Sequence, residues 1–143
     1  MKNQNVKRGL KEAEMLSGED FAGGKGHMDV AVILGRDPDI ESIKGNNDFQ
    51  SNMLFCNWCS LAEGAICGSH PHGTNEEYYY VMEGKGRMVI KNPDGTEETY
   101  EAGPNEAILM RSGGSHSFEN IGKGDCIFLA ICAGLTPRQW INE

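Results

Sequence analysis

Three of the four histidines in this chain stand where they could hold a metal ion together. His70 and His72 are separated by one residue, so on an extended strand both imidazoles point to the same face. Glu77 follows beyond Gly73-Thr74-Asn75, a stretch able to turn the chain back. Its carboxylate then approaches the same point from the next strand. Two neutral nitrogens and one anionic oxygen suit a borderline divalent cation, whether Mn, Fe, Co, Ni, Cu or Zn. His116 lies far along the chain, after Gly113-Gly114-Ser115. Interior-facing residues of distant strands converge in a closed barrel, which makes His116 the remaining candidate ligand. His27, in a glycine-rich stretch, reads as a surface residue. An HxH pair also arises by chance; what separates this one from coincidence is the glutamate and the further histidine.

Residues beside these four are weighed by strand parity. Tyr79 and Val81 share the face of Glu77, whereas Glu76, Tyr78, Tyr80 and Met82 point the other way. Tyr79 is the candidate proton donor, set against the commoner role of a ring packed inside a barrel. Phe118 shares the face of His116 and Asn120 and is expected to line the pocket wall. Arg111, a few residues before His116, is a candidate anchor for an anionic substrate group at the rim; a solvated or interface arginine is the alternative. Cys56-Asn57-Trp58-Cys59 has CxxC spacing, but no second pair with that spacing exists and no helix follows the first cysteine. The cysteines therefore read as small buried apolar residues.

The elements that must position these side chains are short strands. Val30–Leu34 and Met53–Leu61 are apolar strands separated by a loop containing Pro38 and Gly45-Asn46-Asn47. Further strands are expected at 77–82, 87–91, 96–101, 107–110, 115–120 and 126–133, with Asn92-Pro93-Asp94-Gly95 a hairpin turn. Residues 11–16 form a weakly helical patch. Regularly spaced short strands, and no long amphipathic helix after residue 30, argue an antiparallel sandwich or barrel.

Composition narrows the partners. A chain of 143 residues is the size of one domain and can bury a core without disulfides. The net charge of −8 repels phosphate backbones and anionic lipid, which excludes nucleic acid and membrane surfaces as first-choice partners. No apolar run approaches the roughly 20 residues of a membrane span, and no signal peptide is visible at the N-terminus. A cytoplasmic location is the expectation, consistent with an odd cysteine count of five.

The stretch from Gly64 to Gly84 resembles the first motif of the cupin superfamily, G-x5-H-x-H-x3–4-E-x6-G, with Gly64, His70, His72, Glu77 and Gly84 at its fixed positions. Residues 105–120 resemble the second motif, G-x5-P-x-G-x2-H-x3-N, through Gly113, His116 and Asn120; Asn105 and Arg111 stand where it has glycine and proline. The resemblance implies an all-β fold, a single double-stranded β-helix (jelly-roll) barrel of the RmlC-like kind over residues 51–143. It also implies a metal on His70, His72, Glu77 and His116, and a homodimer. Residues 1–50 are then an N-terminal extension, expected to supply one strand and a cover packing on the barrel or on a partner subunit. Four protein ligands on a six-coordinate ion leave two adjacent positions for a small oxygenated metabolite such as a sugar, hydroxy acid or keto acid. The expected activity is Lewis-acid chemistry of isomerase, decarboxylase or lyase type. An Fe(II)-dependent dioxygenase uses the same ligands, and a non-catalytic small-molecule binding or sensing module is the reading from a different class.

Overall fold

The computed structural model describes residues 5–135; positions 1–4 of the extension and 136–143 of the expected barrel lie outside it. Ten strands run in the order β1 (Glu14–Glu19), β2 (His27–Gly35), β3 (Met53–Leu61), β4 (Ile66–Pro71), β5 (Asn75–Glu83), β6 (Gly86–Lys91), β7 (Glu97–Ala102), β8 (Ala107–Met110), β9 (Ser115–Asn120) and β10 (Cys126–Gly134). They form a six-stranded sheet, β1-β2-β3-β10-β5-β8, facing a four-stranded sheet, β4-β9-β6-β7, with every pairing antiparallel. The two antiparallel sheets are what the strand pattern implied, and the jelly roll they make is what the cupin resemblance implied.

The alternation of side chains builds the core. Phe55, Cys59 and Leu61 of β3, Val81 of β5, Met88 of β6, Phe118 of β9 and Phe128 of β10 are all buried between the sheets. Aromatic rings knit the two layers: Phe118 meets Phe128 with ring centroids 5.0 Å apart and Tyr79 at 5.1 Å. Gly86 makes this contact fit, because a Cβ there would lie 1.9 Å from Cζ of Phe118. Asn120, fully enclosed, donates to the carbonyls of Leu61 and Gly124 at 2.9 and 2.8 Å and accepts from Gly122 N–H at 3.0 Å. A buried amide so completely satisfied is a structural pin. Asn105 has φ 67°, so asparagine holds the left-handed turn that the motif gives to glycine.

One local expectation is corrected. Residues 14–16, read as part of a helical patch, belong to strand β1, whose Glu14, Met15 and Leu16 pair with Val32, Ala31 and Val30. Pairing with a ready sheet edge overrides the modest intrinsic preference of Lys, Glu, Ala and Leu for helix.

Candidate metal centre

The candidate ligands come from three strand ends: the end of β4, the start of β5 and the start of β9. Strand β4 carries a bulge: Cys67 pairs with Phe118 and His70 with His116, so three steps on β4 match two on β9. Residues three apart on a regular strand face opposite sides; the extra residue turns both Cys67 and His70 toward the interior. His72 lies just past the end of β4. Its backbone continues the ladder, donating to Gly114 O at 2.8 Å and accepting from Gly113 N–H at 2.5 Å. Two residues on from His70, it keeps the same face. Glu77 enters from β5, opposite Met110 of β8 and Cys132 of β10.

The four side chains converge as their spacing predicted, with one potential ligand atom from each lying within 4.8 Å of the others. His72 Nε2 is 2.7 Å from His116 Nε2 and 3.0 Å from Glu77 Oε1, and His116 Nε2 is 3.2 Å from the same oxygen. A metal–ligand bond of about 2.1 Å places adjacent octahedral ligands about 3.0 Å apart. The three edges of this triangle match that spacing. His70 stands beside them, its ring centroid 4.5 Å from that of His116 and 5.1 Å from that of His72. His72, Glu77 and His116 are buried and His70 is half-buried.

The outer nitrogens fix which atoms face inward. His72 Nδ1–H donates to Asn75 Oδ1 at 2.7 Å, and His70 Nδ1–H donates to Gly68 O at 3.1 Å. In each neutral ring this leaves the lone pair on Nε2, as a metal requires. Burial pushes Glu77 up, but hydrogen bonds from His116 and His72 outweigh it and hold the carboxyl at about 2. Burial pulls His72 down, yet the Glu77 carboxylate leaves it raised. Burial lowers His116, which stays neutral. Two Nε2 atoms and a carboxylate oxygen this close must share either a proton or a cation, and a divalent ion on these four residues fits the donor set.

Other sequence candidates fall as follows. Tyr79 is buried one inward position from Glu77, its ring stacked on Phe128 at 4.5 Å and edge-on to His116 at 5.5 Å. Burial first, then the Glu77 charge, raises its phenol well above the ordinary value, so it stays protonated. Phe118 is buried on the inner face with His116. Arg111 is exposed, one residue beyond Met110. Cys56 and Cys59 differ in burial, Cys59 facing the core, and all five cysteines are free thiols. A cavity of about 590 Å³ borders the 35–54 segment, with Arg36, Lys44 and Phe49 in its walls; none of the four candidate ligands lines it. The orienting residue Asn75 was missed. Its signal was available, since an amide three residues after His72 in a turn is placed to reach back to the ring.

A two-sheet jelly roll with three histidines and a glutamate clustered at its mouth defines a metal-site β-barrel of the cupin type. Residues 57–132 match the cupin domain family, and the chain belongs to it. It is 30% identical over 112 residues to an oxalate-binding protein of Thermotoga maritima, an alignment covering 78% of this chain and 80% of that one. It is 34% identical over 62 residues to a glucose-6-phosphate isomerase of Thermococcus kodakarensis, covering 43% of this chain and only 33% of the isomerase. The crystal structure of a predicted oxalate decarboxylase from Thermotoga maritima superposes with a TM-score of 0.68 at 25% identity, over 91% of this chain and all of that one. Among the described residues, no helix is long and apolar enough to cross a membrane.

Proposed function

We propose that this cupin binds one divalent metal through His70, His72, Glu77 and His116 and uses it on a small acid that presents two adjacent oxygens, such as a hydroxy acid, a keto acid or oxalate. The observation that carries the reading is the triangle of His72 Nε2, His116 Nε2 and Glu77 Oε1, whose edges of 2.7, 3.0 and 3.2 Å suit a shared cation. When bound, the ion supplies Lewis acidity, favouring enolate-like or alkoxide-like charge. Asn75 and the Gly68 carbonyl keep the imidazoles oriented. Tyr79, held protonated, is a hydrogen-bond donor inside the barrel rather than a base. Exposed Arg111, just beyond β8, is our candidate for the cation that meets an anionic group at the rim.

Isomerisation, decarboxylation and elimination all fit such a site, and the fold does not choose among them. The kinship to an oxalate-binding protein favours a second reading, binding without turnover. Both are tested by loading the full chain with each of Mn, Fe, Co, Ni and Zn and adding oxalate, lactate, pyruvate and glycerate, with calorimetry for binding and NMR for conversion. Metal-dependent binding that disappears in Glu77→Ala supports the proposal, and product formation selects the enzyme. No binding with any loaded metal overturns it.

The proposed partner is a second copy of the chain, and the proposed location is the cytoplasm, which suits five free thiols. Across the outer face of the six-stranded sheet, Leu34, Cys56, Ile131, Tyr78 and Leu109 stand in register in one uncharged row. Tyr78 and Leu109 are exposed, and in so acidic a chain an uncharged aromatic and aliphatic row suits a self-complementary contact.

A further inference from the structure

The barrel interior holds a second set of polar groups that the metal centre does not use. Asn57 occupies an inward position of β3, between Phe55 and Cys59, and is only 3% exposed. Its register runs through Ala130 to Tyr79, while Phe55 runs through Cys132 to Glu77. Asn57 is therefore one inward row beyond the ligand glutamate, and the residue between it and Tyr79 is a small alanine. Asn57 Nδ2 donates to Asp37 Oδ2 at 2.8 Å, and the other oxygen of Asp37 accepts from Asp39 N–H at 2.9 Å. Asp37, 9% exposed, comes from the loop after β2. It lies near enough to Glu77 for their charges to interact, and Asp39 likewise acts on His72.

What remains of this pair is chiefly acceptors, beside the second Nδ2–H of Asn57. The buried carbonyl oxygen of Asn57 has no hydrogen-bond partner, and an orphaned buried acceptor costs roughly 1–3 kcal/mol. The free lone pairs of Asp37 are acceptors as well. Glu77 and Asp37 are the buried carboxylates, and no lysine or arginine is among the buried charged residues described. A second carboxylate on a ligand would meet acceptors and like charge; a hydroxyl would meet what Asn57 lacks.

We infer that Asn57 and Asp37 form a specificity station that receives hydroxyl groups of the ligand, so that the preferred ligand is a polyhydroxy monocarboxylic acid rather than a dicarboxylic acid. The inference rests on the metal-chelation reading above. The ligand's α-oxygen and carboxylate belong at the metal and rim, and its further hydroxyls point to Asn57 Oδ1 and Asp37. A group that reads hydroxyls through buried acceptors discriminates strongly, because the analogue without them leaves those acceptors unpaired.

The test uses the Mn(II)-loaded full chain and three α-hydroxy acids that chelate alike: lactate, erythronate, which adds hydroxyls, and malate, which adds a carboxylate. In the wild type, erythronate is expected to bind about tenfold tighter than lactate, and malate weaker than lactate. Asp37→Asn removes the like charge from the pair and adds a further amide donor beside the second Nδ2–H of Asn57. The ratio of malate to erythronate affinity should then rise at least tenfold, a gain that simple misfolding does not mimic. Asn57→Ala should bring erythronate to the lactate value. Equal affinity for lactate and erythronate in the wild type, or an unchanged malate ratio in Asp37→Asn, overturns the station and leaves the metal reading standing. Binding of none of the three overturns both.

Discussion

Asn75 is not itself one of the four candidate ligands, yet Asn75→Ala should weaken metal binding. His72 Nδ1–H donates to its side chain at 2.7 Å, and that bond sets both the rotation of the ring and the nitrogen that carries the lone pair. Removing a partner of this kind commonly costs 10–100-fold in metal affinity, roughly 1.4–2.8 kcal/mol. Asn75 is half-buried at the mouth, so water can enter and accept from Nδ1–H in the variant. The penalty for an unmet buried donor is then largely avoided, and the loss falls near the lower bound, about tenfold. Asn75→Asp keeps an acceptor in place and should hold or raise affinity. Competition against a chromophoric chelator reads these differences directly. The exposed Ser69, on the bulge, serves as the control, and Ser69→Ala should change nothing. An Asn75→Ala protein within twofold of wild type, with unchanged circular dichroism, would refute the idea that this contact orients the ligand.

Gly86→Ala forces a methyl to within 1.9 Å of a ring fully enclosed by Tyr79 and Phe128, so overpacking should cost about 3 kcal/mol, read as a lower denaturant midpoint. An unchanged midpoint would contradict the packing. Asp48 is drawn up by partial burial, but the Arg8 guanidinium at 2.8 Å and the Gly35 N–H leave it below its ordinary value. A depressed carboxyl contributes stability that is complete above its unfolded pKa and lost as pH falls through the folded one. Arg8→Gln should thus destabilise by about 2 kcal/mol at pH 7, with the difference from wild type shrinking below the ordinary aspartate range of about pH 4; a pH-independent difference would exclude this pair as its source. Leu109→Arg should convert the proposed dimer to a monomer in sedimentation, and a wild type that sediments as a monomer removes that interface.

The parts of the molecule that sequence made legible are those where parity alone decides. His70 with His72, Glu77 with Tyr79, and His116 with Phe118 and Asn120 each follow from a two-residue repeat. All of them but the half-buried His70 are buried on the inner face. The bulge between Cys67 and His70 was not legible, because no residue type marks an extra position in one strand. Strand β1 was hidden by good helix formers whose conformation is decided by pairing with β2. Asn57 was read within a CxxC pattern, although a polar residue at an inward position between Phe55 and Cys59 was itself a signal. Asp37 could not be placed, since the loop after β2 gives no period from which to judge where a side chain points.

The central claim is a metal held by His70, His72, Glu77 and His116, and the direct measurement is metal content by mass spectrometry. The full chain, purified without added metal and then incubated with Mn, Fe, Ni and Zn, should retain close to one equivalent of one of them. The His70→Ala/His72→Ala variant, folded by circular dichroism, should retain almost none. No retained metal in the wild type, or equal retention in the variant, would contradict the account.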